Sequence, residues 1–163
     1  MKFSIATIAA FASALATAAP SSSSSEFTLS VADTTSPTGD LNNRKVIFHG
    51  STLLVSGMAS QHGVNFSGGG GSLAIENGDR VYVAQDGHLS LSGTDGVPSG
   101  AITNGFTFSG DELQFAQGAF YACQEQPHPA EGDAPNVEAI YAAIDGVSFG
   151  DNCVAITLNK ASV

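Results

Sequence analysis

From Phe27 onward the chain runs as short apolar stretches separated by glycine, asparagine, aspartate and serine, at the roughly 8 to 12 residue spacing of an antiparallel β-fold. Phe27-Thr28-Leu29-Ser30-Val31 alternates apolar and polar with period two, the pattern of a strand with one buried face. Lys45-Val46-Ile47-Phe48-His49 and Thr52-Leu53-Leu54-Val55 flank Gly50-Ser51, which predicts a tight hairpin. Ser72-Leu73-Ala74-Ile75 and Arg80-Val81-Tyr82-Val83-Ala84 flank Asn77-Gly78-Asp79. Asn-Gly in that setting predicts a second hairpin, because both central residues of its turn take positive φ. Asp86-Gly87 repeats the device ahead of His88-Leu89-Ser90-Leu91-Ser92. Ile102, Phe106-Thr107-Phe108, Leu113-Gln114-Phe115 and Ala119-Phe120-Tyr121-Ala122-Cys123 continue the series, with Ser109-Gly110-Asp111 and Gln117-Gly118 as turns. Val137 to Ile144 and Val154 to Leu158 close it, and no segment carries a strong amphipathic helical period. The pattern predicts an all-β domain, an antiparallel β-sandwich or barrel of about ten short strands with one disulfide.

The stretches without that rhythm have their own character. Lys2, the apolar run Ile5 to Leu15 and Ala16-Thr17-Ala18 read as a secretory signal over residues 1–18, too short and too interrupted by Thr7 and Ser13 for a membrane span. Residues 19–26 form a serine-rich flexible N-terminus and 27–163 a single β domain. The chain shows no later membrane span and no lipid-anchor tail, so the product is expected to be secreted and unanchored. Ser21, Ser22, Ser23, Ser24 and Ser25, and then Thr34, Thr35, Ser36 and Thr38 beside Pro37, suit O-glycosylation. Asn65-Phe66-Ser67 is an N-glycosylation sequon, and Gly68 to Gly71 behind it predicts an exposed, mobile loop with room for a glycan. Gln124 to Asn136, with three prolines and three acidic residues, reads as a loop.

Composition sharpens this picture. Of 163 residues only 12% are charged, with 15 acidic against 5 basic residues and 19 glycines, which fits turns between short strands rather than charged surface helices. The net charge of -10 becomes -11 once the leader takes Lys2 with it (4 minus 15), which argues against nucleic acid and anionic lipid as partners. In an oxidising compartment Cys123 and Cys153 have one possible pairing, and closing a loop of about 30 residues stabilises by roughly 3.5 kcal/mol in the chain-entropy treatment.

The sequence supplies no catalytic, cofactor-binding or metal-ligating set. His49, His62, His88 and His128 show no ligand spacing and read as surface or loop histidines. Asp111-Glu112 is the one adjacent carboxylate pair, and neighbours on a strand point opposite ways, so they cannot flank one glycosidic bond. Glu76, Arg80 and His88 could be cast as a ribonuclease trio, but two arginines in so acidic a chain oppose it. Glu125, Glu131 and Asp133 lack the spacing of a calcium loop. Gly68 to Gly71 and Gly93 to Gly105 lack the Lys-Ser/Thr of a phosphate loop. Sugar clefts favour exposed aromatic platforms, and a chain with no tryptophan and three tyrosines offers few; Phe66, Phe106, Phe108, Phe115, Phe120 and Phe149 read as core.

Arg80-Val81-Tyr82-Val83-Ala84-Gln85-Asp86-Gly87-His88-Leu89, Pro98-Ser99-Gly100-Ala101, Gly105-Phe106, Leu113-Gln114-Phe115, Phe120-Tyr121-Ala122-Cys123, Ile140-Tyr141-Ala142 and Asn152-Cys153 together resemble a group of small secreted fungal proteins. That group includes phialide-type cell-wall proteins and proteins labelled IgE-binding; the closing order is also similar to the C-terminal domain of PIR-type wall mannoproteins. This chain departs from them in lacking an earlier cysteine pair, in carrying Gln124 where a proline follows the Ala-Cys, and in having no glutamine repeat. The resemblance implies a non-catalytic, glycosylated extracellular or wall-associated protein whose partners are wall polysaccharide or other wall proteins. It implies no catalytic residues. Two other readings are a small secreted hydrolase acting on polysaccharide and a secreted effector- or allergen-like binding protein.

Overall fold

A computed structural model describes residues 25–32, 34–36, 39–124 and 137–163. The leader, Ser21 to Ser24, Pro37, Thr38, and the loop with Glu125, His128, Glu131 and Asp133 lie outside the described residues. Within them the fold is all-β with no helix. The described residues form fifteen strands, twelve of them on the apolar runs and three short ones (β2, β3 and β7) on polar or glycine pairs. They are β1 (Phe27–Ala32), β2 (Thr35–Ser36), β3 (Gly39–Asp40), β4 (Val46–His49), β5 (Thr52–Val55), β6 (Phe66–Gly68), β7 (Gly70–Gly71) and β8 (Leu73–Ile75). After these come β9 (Val81–Val83), β10 (Leu89–Leu91), β11 (Phe106–Ser109), β12 (Glu112–Phe115), β13 (Phe120–Gln124), β14 (Glu138–Ala142) and β15 (Cys153–Ser162).

Thirteen strands form one antiparallel sheet curved into a half-barrel; nine follow the order β7-β11-β12-β15-β13-β14-β5-β10-β9, β4 pairs with β5 off that path, and β2 and β3 make a separate small hairpin. A branch β1-β6-β8 leaves β15, and its last strand reaches the far end of the main path through a single bridge, Ala74 to Arg80. β15 joins the two wings: its first half pairs with β13 (Cys123 opposite Cys153, Phe120 opposite Ile156), and its second half with β1 and β12. Both wings turn their apolar side to one core that includes Phe27, Phe66, Phe106, Phe115, Phe120, Ile140 and Leu158. Strand alternation explains that membership: on β1 the residues Phe27, Leu29 and Val31 are buried, and Thr28 and Ser30 between them are half-buried.

Three turns behave as their sequences suggest and one does not. Gly50, Gly87 and Gly110, all at positive φ, close β4–β5, β9–β10 and β11–β12. Asn77-Gly78 reverses the chain, but β8 and β9 then separate, β8 pairing with β6 and β9 with β10. The reason is local. Asn77 Oδ1 accepts from Asp79 N at 2.9 Å and Gly78 N donates to Ile75 O at 2.8 Å, and Gly78 alone in that turn has positive φ, so the turn is not the doubly left-handed type that keeps a hairpin together.

The glycine run is a second correction. The mobile loop expected at Gly68 to Gly71 is a sheet edge instead: Gly68 ends β6, and Gly70 and Gly71 form β7 against Thr107 and Phe106. Gly69 (φ 98°) turns the chain between them, and a Cβ there would lie 2.4 Å from Phe108 Cδ2. Absent side chains let this backbone bend sharply and lie against a ring.

Candidate functional site

On the side of β13 and β14 away from the core, the half-barrel carries a group of aromatic side chains. Phe120, Ala122, Ile140 and Ala142 are inward, so Tyr121 and Tyr141, which alternate with them and stand directly opposite each other across the strand pair, are outward. His88 joins through a bridge to Tyr141, and its ring stacks on that tyrosine at 4.7 Å with 12° between planes. Phe149, from the 143–152 connection, stacks on Tyr121 at 4.5 Å and meets Tyr141 edge-on at 5.7 Å. All four are half-buried.

Local chemistry holds each ring in place. Asp86 Oδ1 accepts from His88 N at 3.0 Å, and Gly87 (φ 89°) lets its own carbonyl accept from Ala142 N at 2.8 Å, which sets the histidine turn against β14. A Cβ on Gly87 would stand 2.8 Å from Ala142 O and 3.3 Å from Phe149 Cζ, so the glycine also makes room for the phenylalanine. The 143–152 connection is tied at both ends: Val147 N donates to Ile144 O at 3.2 Å and Cys153 N to Gly150 O at 3.0 Å. The disulfide of Cys123 and Cys153, the pairing expected from the sequence, fastens its far end to β13, two residues from Tyr121. Asp86, in the turn ahead of His88, and Asp145 and Asp151, in the turns on either side of Phe149, are exposed.

The cluster corrects one sequence reading. Phe149 is not core: it belongs to this outer group, and Phe108 is half-buried against the core's edge, whereas Phe66, Phe106, Phe115 and Phe120 lie inside. Of the histidines read as surface or loop residues, His49 and His62 are exposed, and His88, at the end of the β9–β10 turn, is half-buried against Tyr141. Tyr121 and Tyr141 sit at the outward parity of apolar strands, while the third tyrosine, Tyr82, is buried on β9.

The remaining sequence candidates do not converge here. Asp111 lies in the β11–β12 turn and Glu112 starts β12, both exposed. Of the ribonuclease trio, Glu76 Oε2 accepts from Asn65 Nδ2 at 3.3 Å, Arg80 is exposed just ahead of β9, and His88 is stacked on Tyr141. Asn65 itself is half-buried ahead of β6, and its amide also donates to Glu26 Oε2 at 3.5 Å. Thr34 is 7% exposed and its hydroxyl donates to Ala32 O at 3.0 Å, which removes it from the accessible hydroxyls expected around it. Among the described residues no group of three or more His, Cys, Asp or Glu is placed to hold a metal ion, and no helix is long and apolar enough to cross a membrane. Comparison with protein-family models, with curated proteins and with solved structures finds no match in any of the three.

Each ring is half-buried, Phe149 stacked on Tyr121 and His88 on Tyr141, and the exposed Asp86, Asp145 and Asp151 lie within four residues of His88 or Phe149 along the chain. Large, rigid, amphipathic side chains of this kind contribute contact area at low conformational-entropy cost, which suits recognition of a surface or a polymer.

Proposed function

We propose that the protein is a secreted, glycosylated, non-catalytic component of the fungal cell surface or wall, acting by structure and interaction. One observation carries the interaction role: four aromatic side chains gathered outside the core, on the side of the half-barrel away from it, and half-exposed. Aromatic residues enriched on a surface mark contact sites in general. The leader pattern of residues 1–18 and the Cys123–Cys153 disulfide support an extracellular destination, where such a bond persists. The resemblance of Arg80 to Leu158 to fungal wall proteins supports the same setting, with wall polysaccharide or other wall proteins as partners. Asn65 is half-buried just ahead of β6, and a glycan on its Nδ2 leaves one N–H for Glu76 or Glu26.

The test is expression in a fungal host, followed by separation into culture medium, detergent-extracted wall and alkali-extracted wall. The protein is expected in one of those fractions, with Ala19 as its first residue and a mass shift that endoglycosidase treatment and Asn65→Gln both abolish. Recovery exclusively inside the cell overturns the reading.

A further inference from the structure

The charges of this chain are segregated along it. Val81 to Asn159, which contains all four rings, holds ten of the fifteen acidic residues and none of the five basic ones, which are Lys2, Arg44, Lys45, Arg80 and Lys160. Three of those acids, Asp86, Asp145 and Asp151, are exposed in the segments that deliver His88 and Phe149. Ring faces attract cations through their negative quadrupole, and the exposed carboxylates of Asp86, Asp145 and Asp151 attract them directly while repelling anionic polymers. A neutral polymer would use the rings and leave the charge without a role.

We infer that the face formed by His88, Tyr121, Tyr141 and Phe149 binds a cationic amino-sugar polymer, a chain of glucosamine units with free amines. The sugar's C–H faces pack against the exposed parts of the stacked Tyr121–Phe149 and Tyr141–His88 pairs. Its ammonium groups lie toward Asp86, Asp145 and Asp151. This inference rests on the interaction role proposed above and names its ligand class. The binding is non-covalent, so association follows salt as charge pairing does, weakening as the Debye length falls to about 3 Å near 1 M salt.

The chain offers its own reporter. It has no tryptophan, and two of its three tyrosines are in the site while Tyr82 is buried elsewhere, so tyrosine emission reads ligand contact. The experiment titrates the secreted full-length protein with four probes: a glucosamine hexamer, an N-acetylglucosamine hexamer, a β-glucan hexamer and hexalysine. Calorimetry and tyrosine emission are followed together. The glucosamine hexamer is expected to bind about tenfold more tightly than either uncharged sugar and to perturb the tyrosines. Phe149→Leu, which leaves the charge unchanged, is expected to weaken it about tenfold. Asp145→Asn with Asp151→Asn, both at exposed positions, is expected to weaken it several-fold without altering the melting temperature.

Equal binding of acetylated or glucan hexamer overturns the inference while leaving an interaction role standing. So does hexalysine binding as tightly with the same tyrosine response, which would make the partner a basic peptide. If the Asp variants weaken binding and Phe149→Leu does not, the attraction is one of net charge alone and the site is refuted. No binding by a protein that nevertheless fractionates with the wall sinks the ligand and keeps the broader reading, whereas recovery inside the cell sinks that reading itself.

Discussion

Replacing Gly69 and Gly70 by alanine, one at a time, separates a built sheet edge from a loose loop. At Gly69 the backbone φ of 98° is costly for any L side chain, and the new methyl would sit 2.4 Å from Phe108 Cδ2 and 2.5 Å from Cε2. Backbone strain of that kind costs about 1–3 kcal/mol. Phe108 has little freedom to retreat, because its ring meets Phe27 edge-on at 5.1 Å and carries Lys160 Nζ 5.6 Å above it. Disturbing the edge-on pair forfeits a further 0.5–1.5 kcal/mol or so. The combined loss is about 1.5–4.5 kcal/mol, which at roughly 3 °C per kcal/mol for a domain this size lowers Tm by about 5–14 °C. Gly70 has nothing within 4 Å of its would-be Cβ and no positive φ, so Gly70→Ala should stay within about 0.5 kcal/mol of the parent. Urea denaturation of the oxidised protein, followed by far-UV circular dichroism, measures both. Removing the ring should relieve part of the cost: in a Phe108→Ala background Gly69→Ala is expected to lose about 1 kcal/mol less. Equal effects at 69 and 70, or no relief from Phe108→Ala, refute the argument.

Converting Cys123 and Cys153 together to alanine should lower stability by about 3.5 kcal/mol, seen as a Tm drop near 10 °C, because the lost loop spans 30 residues; reducing the parent protein should reproduce the shift. Phe106→Ala, at a fully buried ring where β11 faces the core, should cost about 3–5 kcal/mol in the same denaturation assay. Gly87→Ala, at φ 89° and 2.8 Å from Ala142 O, should cost about 1–3 kcal/mol and also change the near-UV tyrosine dichroism, since the methyl reaches Phe149 at 3.3 Å. A stability loss with an unchanged near-UV signal would mean that Gly87 does not govern the ring cluster.

Much of the fold was legible in the chain because strand alternation and turn chemistry are local. Phe27 to Val31 declares its buried face by itself, and Gly50, Gly87 and Gly110 each mark a reversal. What local pattern does not contain is partner choice. Asn77-Gly78 turns the chain as expected, yet β8 finds β6 and β9 finds β10, since pairing is decided by which apolar faces meet in the core. The ring cluster was hidden for the same reason. Tyr121 and Tyr141 are twenty residues apart and Phe149 lies in a connection with no rhythm, so only register and the disulfide bring them together. Counting aromatic types missed it, because the absence of tryptophan says nothing about where tyrosines converge.

β15 has a consequence in time as well as in space. It is the shared partner of β1, β12 and β13, and each of them precedes it in the chain. As the polypeptide is synthesised, β1 emerges long before it, and Cys123 waits as a free thiol until Cys153 follows. Through that interval the unsealed strands expose backbone donors and acceptors that other chains can capture. Completion of the domain is therefore a late, cooperative event with many non-local contacts, slow for a chain this short. A chain cut after Asp151 would lose the joining strand and the second thiol at once, and its fate is aggregation rather than a weakened version of the same protein.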